Sequence, residues 1–254
     1  MQAKYILGIS VAVIGVLLLA VAGVMWWQND FDDRLPIRGD EVDVGLVPAD
    51  GVYVAGRYYA SPGKVEHRGV ILLHMAGSNQ NAWNNFAAEL QDRNFEVMTL
   101  DFRGHGESSG TDTELKETDY LQLVDDAAEA VEYLRDIDSD MRIAVVGAGL
   151  GANVALQLAD RDTTLTAALL VSPQHNYRGV KITKINKLFT RPIYYLVSQT
   201  DTISYEATQT LYQNNPSLNK ELRVAEAADG RGTKLINHTP KLRDAMADWL
   251  ELVL

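Results

Sequence analysis

The chain has 254 residues, 46% of them hydrophobic and 22% charged, enough to bury the core of one α/β domain. Its 23 Lys and Arg against 34 Asp and Glu give a net charge of −11, which argues against nucleic acid as a partner. The absence of cysteine excludes disulfides, thiolate metal sites, a cysteine nucleophile and a lipid-bearing N-terminal cysteine.

Residues 5–27 are 23 positions without a charge, long enough to cross a bilayer's hydrocarbon core as one helix, and the Trp26-Trp27 pair suits the interface. Lys4 precedes this run while Asp30, Asp32 and Asp33 follow it. That asymmetry predicts a single-pass membrane anchor over 1–27 with the C-terminal domain extracytoplasmic. The competing reading is a cleaved signal peptide ending near Ala20-Val21-Ala22, which leaves the domain secreted; the apolar run continues past that site and favours the anchor. Residues 28–41 are polar, contain Pro36 and Gly39, and read as a linker. The remaining 42–254 form one domain.

Within it, two apolar-alternating runs from Val42 to Ala60 flank Ala49-Asp50-Gly51 and predict an antiparallel hairpin. Strands then alternate with helices: a strand Val70 to His74, a helix Asn81 to Arg93, a strand Val97 to Asp101. A loop from Phe102 to Thr113 leads into a helix over Thr118 to Arg135, with Leu121, Val124, Ala128, Val131 and Leu134 on one face. Strands follow at Ile143 to Val146, Ala167 to Val171, Pro192 to Val197 and Leu222 to Ala225. A helix starts near Tyr205, and a last one at Pro240 is capped by Thr239. This alternation predicts a mostly parallel central sheet with helices on both faces, and ligand sites at the strands' carboxyl ends. The stretch Gln174 to Arg191, carrying Arg178, Lys181, Lys184, Lys187 and Arg191, reads as an insertion able to cover such a site.

Arg142 to Leu156 (RIAVVGAGLGANVAL) reads as a buried strand, a glycine turn and a helix. Two kinds of site are built on such a turn. The dinucleotide fingerprint G-x-G-x-x-G/A is met by Gly147, Gly149 and Ala152, but it needs an acid at the end of the next strand, and Ala167 to Pro173 has none. The nucleophile elbow G-x-S-x-G is met by Gly147 to Gly151 with Gly149 in the serine's place.

The neighbouring motifs decide between them. Leu72 to Gly77 (LLHMAG) resembles an H-G loop after a third strand, and Asp101 to Ser108 (DFRGHGES) matches a D-x-R-G-x-G-x-S segment after a fourth. Ser198-Gln199-Thr200-Asp201 stands where an acid follows a seventh strand. With these, the domain resembles the α/β-hydrolase superfamily, and within it bacterial esterases and serine-aminopeptidase-like members. The resemblance implies a Ser-His-acid triad, an oxyanion hole and no cofactor or metal. Carried onto this chain, it puts Gly149 at the nucleophile, Asp201 at the acid, and Arg231, in the turn Asp229 to Leu235, at the base. His238 is the alternative base. The oxyanion and ligand-binding loop is His74, Met75 and Ala76, with Leu150 supplying the second N–H.

Glycine has no atom that attacks a carbonyl, and arginine stays protonated and cannot accept a serine's proton. The expectation is therefore a membrane-anchored hydrolase relative with impaired catalysis that binds a small ester, amide or carboxylate ligand or acts as an interaction module, its protein partner left open. Asp201 would then pair with Arg231. The alternative is an active serine-type ester or amide hydrolase using His238 and Asp201, with another nucleophile or with Gly149 an introduced substitution. Ser78, Ser108 and Ser109 lie near the site but on no elbow; His74 and His105 are expected to hydrogen-bond their loops.

Overall fold

The computed structural model describes residues 39–254 apart from 64, 65, 113, 114 and 227–229. The expected anchor over 1–27 and most of the linker lie outside these residues. Among the described residues no helix is long and apolar enough to cross a membrane.

In chain order the strands are β1 (Glu41–Leu46), β2 (Val54–Tyr59), β3 (Arg68–Leu73), β4 (Glu96–Leu100), β5 (Arg142–Ala148) and β6 (Ala167–Val171). The two-residue strands β7 (Asn176–Tyr177) and β8 (Val180–Lys181) come next, then β9 (Ile193–Ser198) and β10 (Lys220–Ala225). The main sheet has eight strands in the order β1-β2-β4-β3-β5-β6-β9-β10. β1 pairs antiparallel with β2, and β2 with β4; from β4 to β10 every pairing is parallel. The hairpin turn closes with the Gly51 N–H donating to Pro48 O. β7 and β8 form a separate small hairpin inside the stretch read as an insertion.

Strands buried on both faces explain the unbroken apolar runs. Ile143, Val145, Ile71 and Leu170 point to one side, where α2 (Leu123–Ile137) and α3 (Leu150–Arg161) pack. Ala144, Val146, Leu72 and Leu169 point to the other, toward α1 (Asn84–Asp92) and α7 (Pro240–Val253). Each fully buried Val, Leu or Ile contributes about 1.5–3 kcal/mol over an exposed one. The remaining helices are α4 (Thr183–Asn186), α5 (Thr202–Asn214) and α6 (Thr233–His238).

Several boundaries differ from the sequence expectation. The segment expected as a helix from Asn81 opens with a 3-10 turn over Gln80–Trp83, and that expected from Thr118 with one over Asp119–Leu121. The tighter winding turns Leu121 off the buried stripe, and it is 52% exposed. α5 starts at Thr202 because the Asp201 carboxylate caps it, accepting from the Ser204 N–H at 3.4 Å. α6 was not anticipated. It runs almost directly into α7, so Thr239 stands at the junction and makes no side-chain cap bond, while Pro240 occupies the first turn as expected.

The turn after β5 is the tightest backbone crossing. A Cβ on Gly151 would lie 2.3 Å from Leu73 O and 2.6 Å from His74 O; one on Gly147 would lie 2.1 Å from Gly151 O. Both clashes are with backbone, which cannot swing away. Gly151→Ala is therefore expected to destabilise the fold by about 3 kcal/mol, read as a lower urea midpoint at unchanged m-value. An unchanged midpoint would mean that β3 and α3 separate without cost.

Candidate functional site

The loops that leave the carboxyl ends of β3, β4, β5, β6, β9 and β10 meet above the sheet. They bring together Met75, Gly149, Tyr177, Asp201 and Arg231.

The segment after β4 is structural throughout. Asp101 accepts from the Gln80 N–H at 2.6 Å and the Glu107 N–H at 2.9 Å. The Ser108 hydroxyl donates to Asp101 O at 2.6 Å and accepts from the Ala55 N–H at 2.8 Å, so both its roles are used. Arg103 is buried with Asp126: Nε and Nη2 donate to Asp126 Oδ1 at 2.9 and 2.6 Å, and Nη1 donates to Asp50 Oδ2 at 2.6 Å and Gln122 Oε1 at 2.7 Å. Burial works against the Arg103 charge, but the bonds from Asp126 and Asp50 outweigh it and hold its pKa above the ordinary arginine value.

His74 and His105 hold loops, as expected. His74 Nε2 accepts from the Phe102 N–H at 3.0 Å, which leaves the proton on Nδ1 to donate to Met75 O at 2.9 Å. His105 Nδ1 lies 3.1 Å from Arg103 O, and Nε2 accepts from the Gly77 N–H at 3.4 Å. Complete burial pushes His74 down from 6.5 to about 3, so the ring is neutral at any ordinary pH. Below about pH 6.5 the unfolded chain takes up a proton that the folded one refuses. The contribution of His74 is thus whole above that pH and lost as pH falls toward 3, at about 1.4 kcal/mol per pH unit. His74→Asn is expected to flatten the stability slope between about pH 6.5 and 5 by that amount; an unchanged slope would contradict the neutral buried ring.

Gly149 sits at the apex of the turn, φ 55° and ψ −114°, with its N–H donating to Val171 O at 2.9 Å. An L-residue there costs about 1–2 kcal/mol, so glycine relieves the turn. A Cβ on Gly149 would lie 3.2 Å from Met75 Cβ and 3.8 Å from Tyr177 Cε2. Met75 then runs across to the other loop: its sulfur is 3.0 Å from where a Cβ on Gly232 would stand. The Met75 side chain therefore fills the space between the elbow and the turn that carries Arg231. The N–H groups of Ala76 and Leu150, in the loop beside Gly149 and the residue after it, donate to no acceptor among the described residues.

The 230–232 turn is fixed from below, since the Gly232 N–H donates to the Oγ of buried Ser172 at 3.0 Å. This directs the Arg231 guanidinium over the Tyr177 ring, 5.6 Å from its centroid, and toward Asp201, with Nε 3.7 Å from Oδ2. The pair is within ion-pair range but beyond a direct hydrogen bond, and the buried Asp201 Oδ2, Arg231 Nε and Arg231 Nη2 have no hydrogen-bond partner among the described residues. The expected carboxylate–guanidinium contact is present in this looser form. His238 is exposed at the far end of α6, roughly 9 Å along the helix axis from Gly232.

The 174–191 stretch covers the elbow through Tyr177. Asn153, buried in α3, pins it by donating to Gln174 O at 2.8 Å and Val180 O at 2.7 Å. The basic cluster of this stretch is only partly solvated. Arg178 pairs with Asp112 at 3.1 Å, and Arg191 caps the end of α3 through Ala159 O, Asp162 O and Leu165 O. Sequence reasoning missed Ser172 and Tyr177 as site-forming residues. Tyr177 lies in the stretch read as an insertion, and Ser172 directly follows the strand that ends at Val171.

A parallel sheet flanked by an antiparallel hairpin, with a strained elbow after β5 and an acid after β9, defines the α/β-hydrolase fold. Residues 65–225 match the serine aminopeptidase S33 family, and the chain belongs to it. Solved structures of the same fold include the Pyrococcus furiosus esterase Pf2001, with a TM-score of 0.71 and 20% identity over 84% of this chain and 91% of that one. A 2,6-dihydroxy-pseudo-oxynicotine hydrolase superposes with a TM-score of 0.70 and 20% identity, over 85% of this chain and 68% of that one. The uncharacterized protein YfhR of Salmonella typhimurium is 27% identical over 127 residues, 48% of this chain and 41% of that protein. The uncharacterized protein Rv2715 of Mycobacterium tuberculosis is 30% identical over 102 residues, 40% of this chain and 28% of that protein. The chain thus spans less than half the length of these two curated relatives.

Proposed function

We propose that the chain is a membrane-anchored, extracytoplasmic α/β-hydrolase relative that binds a small ligand without hydrolysing it. The observation that carries this reading is Arg231 facing Asp201 at 3.7 Å. A permanently charged guanidinium occupies the ground where the family's mechanism needs a base, while the remaining histidine candidate lies at the far end of α6. Gly149 adds the second deficiency, since no atom on it attacks a carbonyl. Support for anchoring comes from the uncharged run over 5–27 and from Lys4 preceding it.

The test is hydrolysis of short p-nitrophenyl esters by the full-length chain in mild detergent. The expected result is turnover equal to a heat-denatured control. Turnover above that control, abolished by His238→Ala, would establish the active-hydrolase alternative instead.

A further inference from the structure

The main sheet ends in two edges, β1 and β10, and neither has a strand on its outer side among the described residues. Such an edge is a template for another strand, and its charges decide whether it accepts one. β1 carries Asp40, Glu41 and Asp43 at its start, all acidic, so a second β1 laid against it meets like charge. β10 carries both signs, with Glu221 and Arg223 exposed on the same face of the strand. Lys220 is turned away from the edge, its Nζ donating to Tyr212 O at 2.9 Å and Asn215 O at 2.6 Å at the end of α5.

The backbone groups that β10 offers follow from its pairing with β9. Alternate residues of a strand turn their N–H and C=O to opposite sides. The Asn219 and Ala225 carbonyls face β9, accepting from the Ile193 and Gln199 N–H at 3.0 Å each. By the same alternation Lys220, Leu222 and Val224 turn theirs to the open edge. A second β10, antiparallel to the first, can use these groups in registers centred on Glu221, Leu222 or Arg223. The first sets Glu221 against itself and the last sets Arg223 against itself, both like-charge contacts. The register centred on Leu222 sets each Glu221 against Arg223 of the second copy, in the closely spaced pairs where side chains lie nearest. Leu222 then exchanges hydrogen bonds with its own copy, and Lys220 with Val224 of the second copy. We propose that the chain forms a two-fold dimer by antiparallel pairing of β10 with β10 of a second copy, centred on Leu222 and registered by Glu221 and Arg223. The two-fold axis uses up both edges and closes the assembly at two copies. Fully exposed Leu218, just before the strand, stands at each end of the ladder as an apolar side chain for the second copy to cover.

The experiment is sedimentation equilibrium of the full-length chain in density-matched detergent, where a concentration-dependent equilibrium between one and two copies is expected. Glu221→Arg and Arg223→Glu each oppose like charges and are expected to weaken the dimer roughly tenfold or more. The double reversal, Glu221→Arg with Arg223→Glu, restores opposite charges and should return the dimer, as should an equimolar mixture of the two single variants. Both positions are exposed, so the fold is not at stake. The chain has no cysteine, which allows a second readout: Glu221→Cys with Arg223→Cys is expected to give a disulfide-linked dimer on mild oxidation, since such facing pairs lie within disulfide reach. A single copy at every concentration, or a mass above two copies, which would mean that β10 pairs with β1, would overturn the proposal. So would a dimer that neither single reversal weakens, as one held by another surface would be, or a double reversal that fails to restore it.

Discussion

The full-length chain carrying both Gly149→Ser and Arg231→His is expected to hydrolyse p-nitrophenyl esters on the order of 10²–10⁴-fold faster than the unmodified chain. Each change alone is expected to remain near background, because a serine without a base and a base without a nucleophile are both inert. The elbow already has the backbone a serine needs, φ 55° at Gly149, and the Ala76 and Leu150 N–H groups have no acceptor among the described residues. Asp201 stands ready to orient an imidazole on the 230–232 turn. Two costs oppose the gain. The positive φ destabilises the serine variant by about 1–2 kcal/mol, and its Cβ, 3.2 Å from Met75 Cβ, forces Met75 to give by a few tenths of an ångström. Activity from Gly149→Ser alone would show that a base survives, with His238 the first candidate. Silence of the double variant would mean that the Met75 side chain, lying between the two loops, keeps the new groups apart.

The largest stability effect is expected at Arg103. Its guanidinium satisfies Asp126, whose side chain is 0% exposed, through a two-pronged contact, and it ties the β1–β2 turn to α2 through Asp50 and Gln122. Arg103→Met leaves a buried carboxylate without its partner, which costs about 3–5 kcal/mol. In a chain of this size that corresponds to a fall in Tm of roughly 10 °C. Replacing both partners, Arg103→Met with Asp126→Leu, is expected to recover most of the loss, because the uncompensated charge is gone. A single variant as stable as the unmodified chain would show that water reaches Asp126.

The strand–helix alternation made the sheet legible before any coordinates, because strands buried on both faces carry no polar residue to interrupt the run. Ile143 to Val146 and Ala167 to Val171 are examples. The glycine turn was legible for a related reason: Gly147 and Gly151 are dictated by backbone approach, which admits nothing larger. Helix starts were harder to read, since Gln80–Trp83 and Asp119–Leu121 have helical spacing but wind as 3-10 turns. The juxtaposition of Gly149, Asp201 and Arg231 was legible because each follows a strand whose carboxyl end lies on the same side of the sheet. It was not legible at Tyr177 and Ser172, whose parts depend on loops far apart in the chain. Ser172 meets Gly232 across 60 positions, and nothing local in either segment announces the bond.

The most direct measurement is reaction of the unmodified full-length chain with a fluorophosphonate probe, which traps any activated serine, followed by mass spectrometry of the intact protein and its peptides. The site described here contains no such serine, so the expected mass is that of the unlabelled chain, while the chain with Gly149→Ser and Arg231→His acquires one adduct at the elbow. A stoichiometric adduct on the unmodified chain, at Ser78, Ser109 or any other serine, would contradict the claim that its hydrolytic machinery is absent.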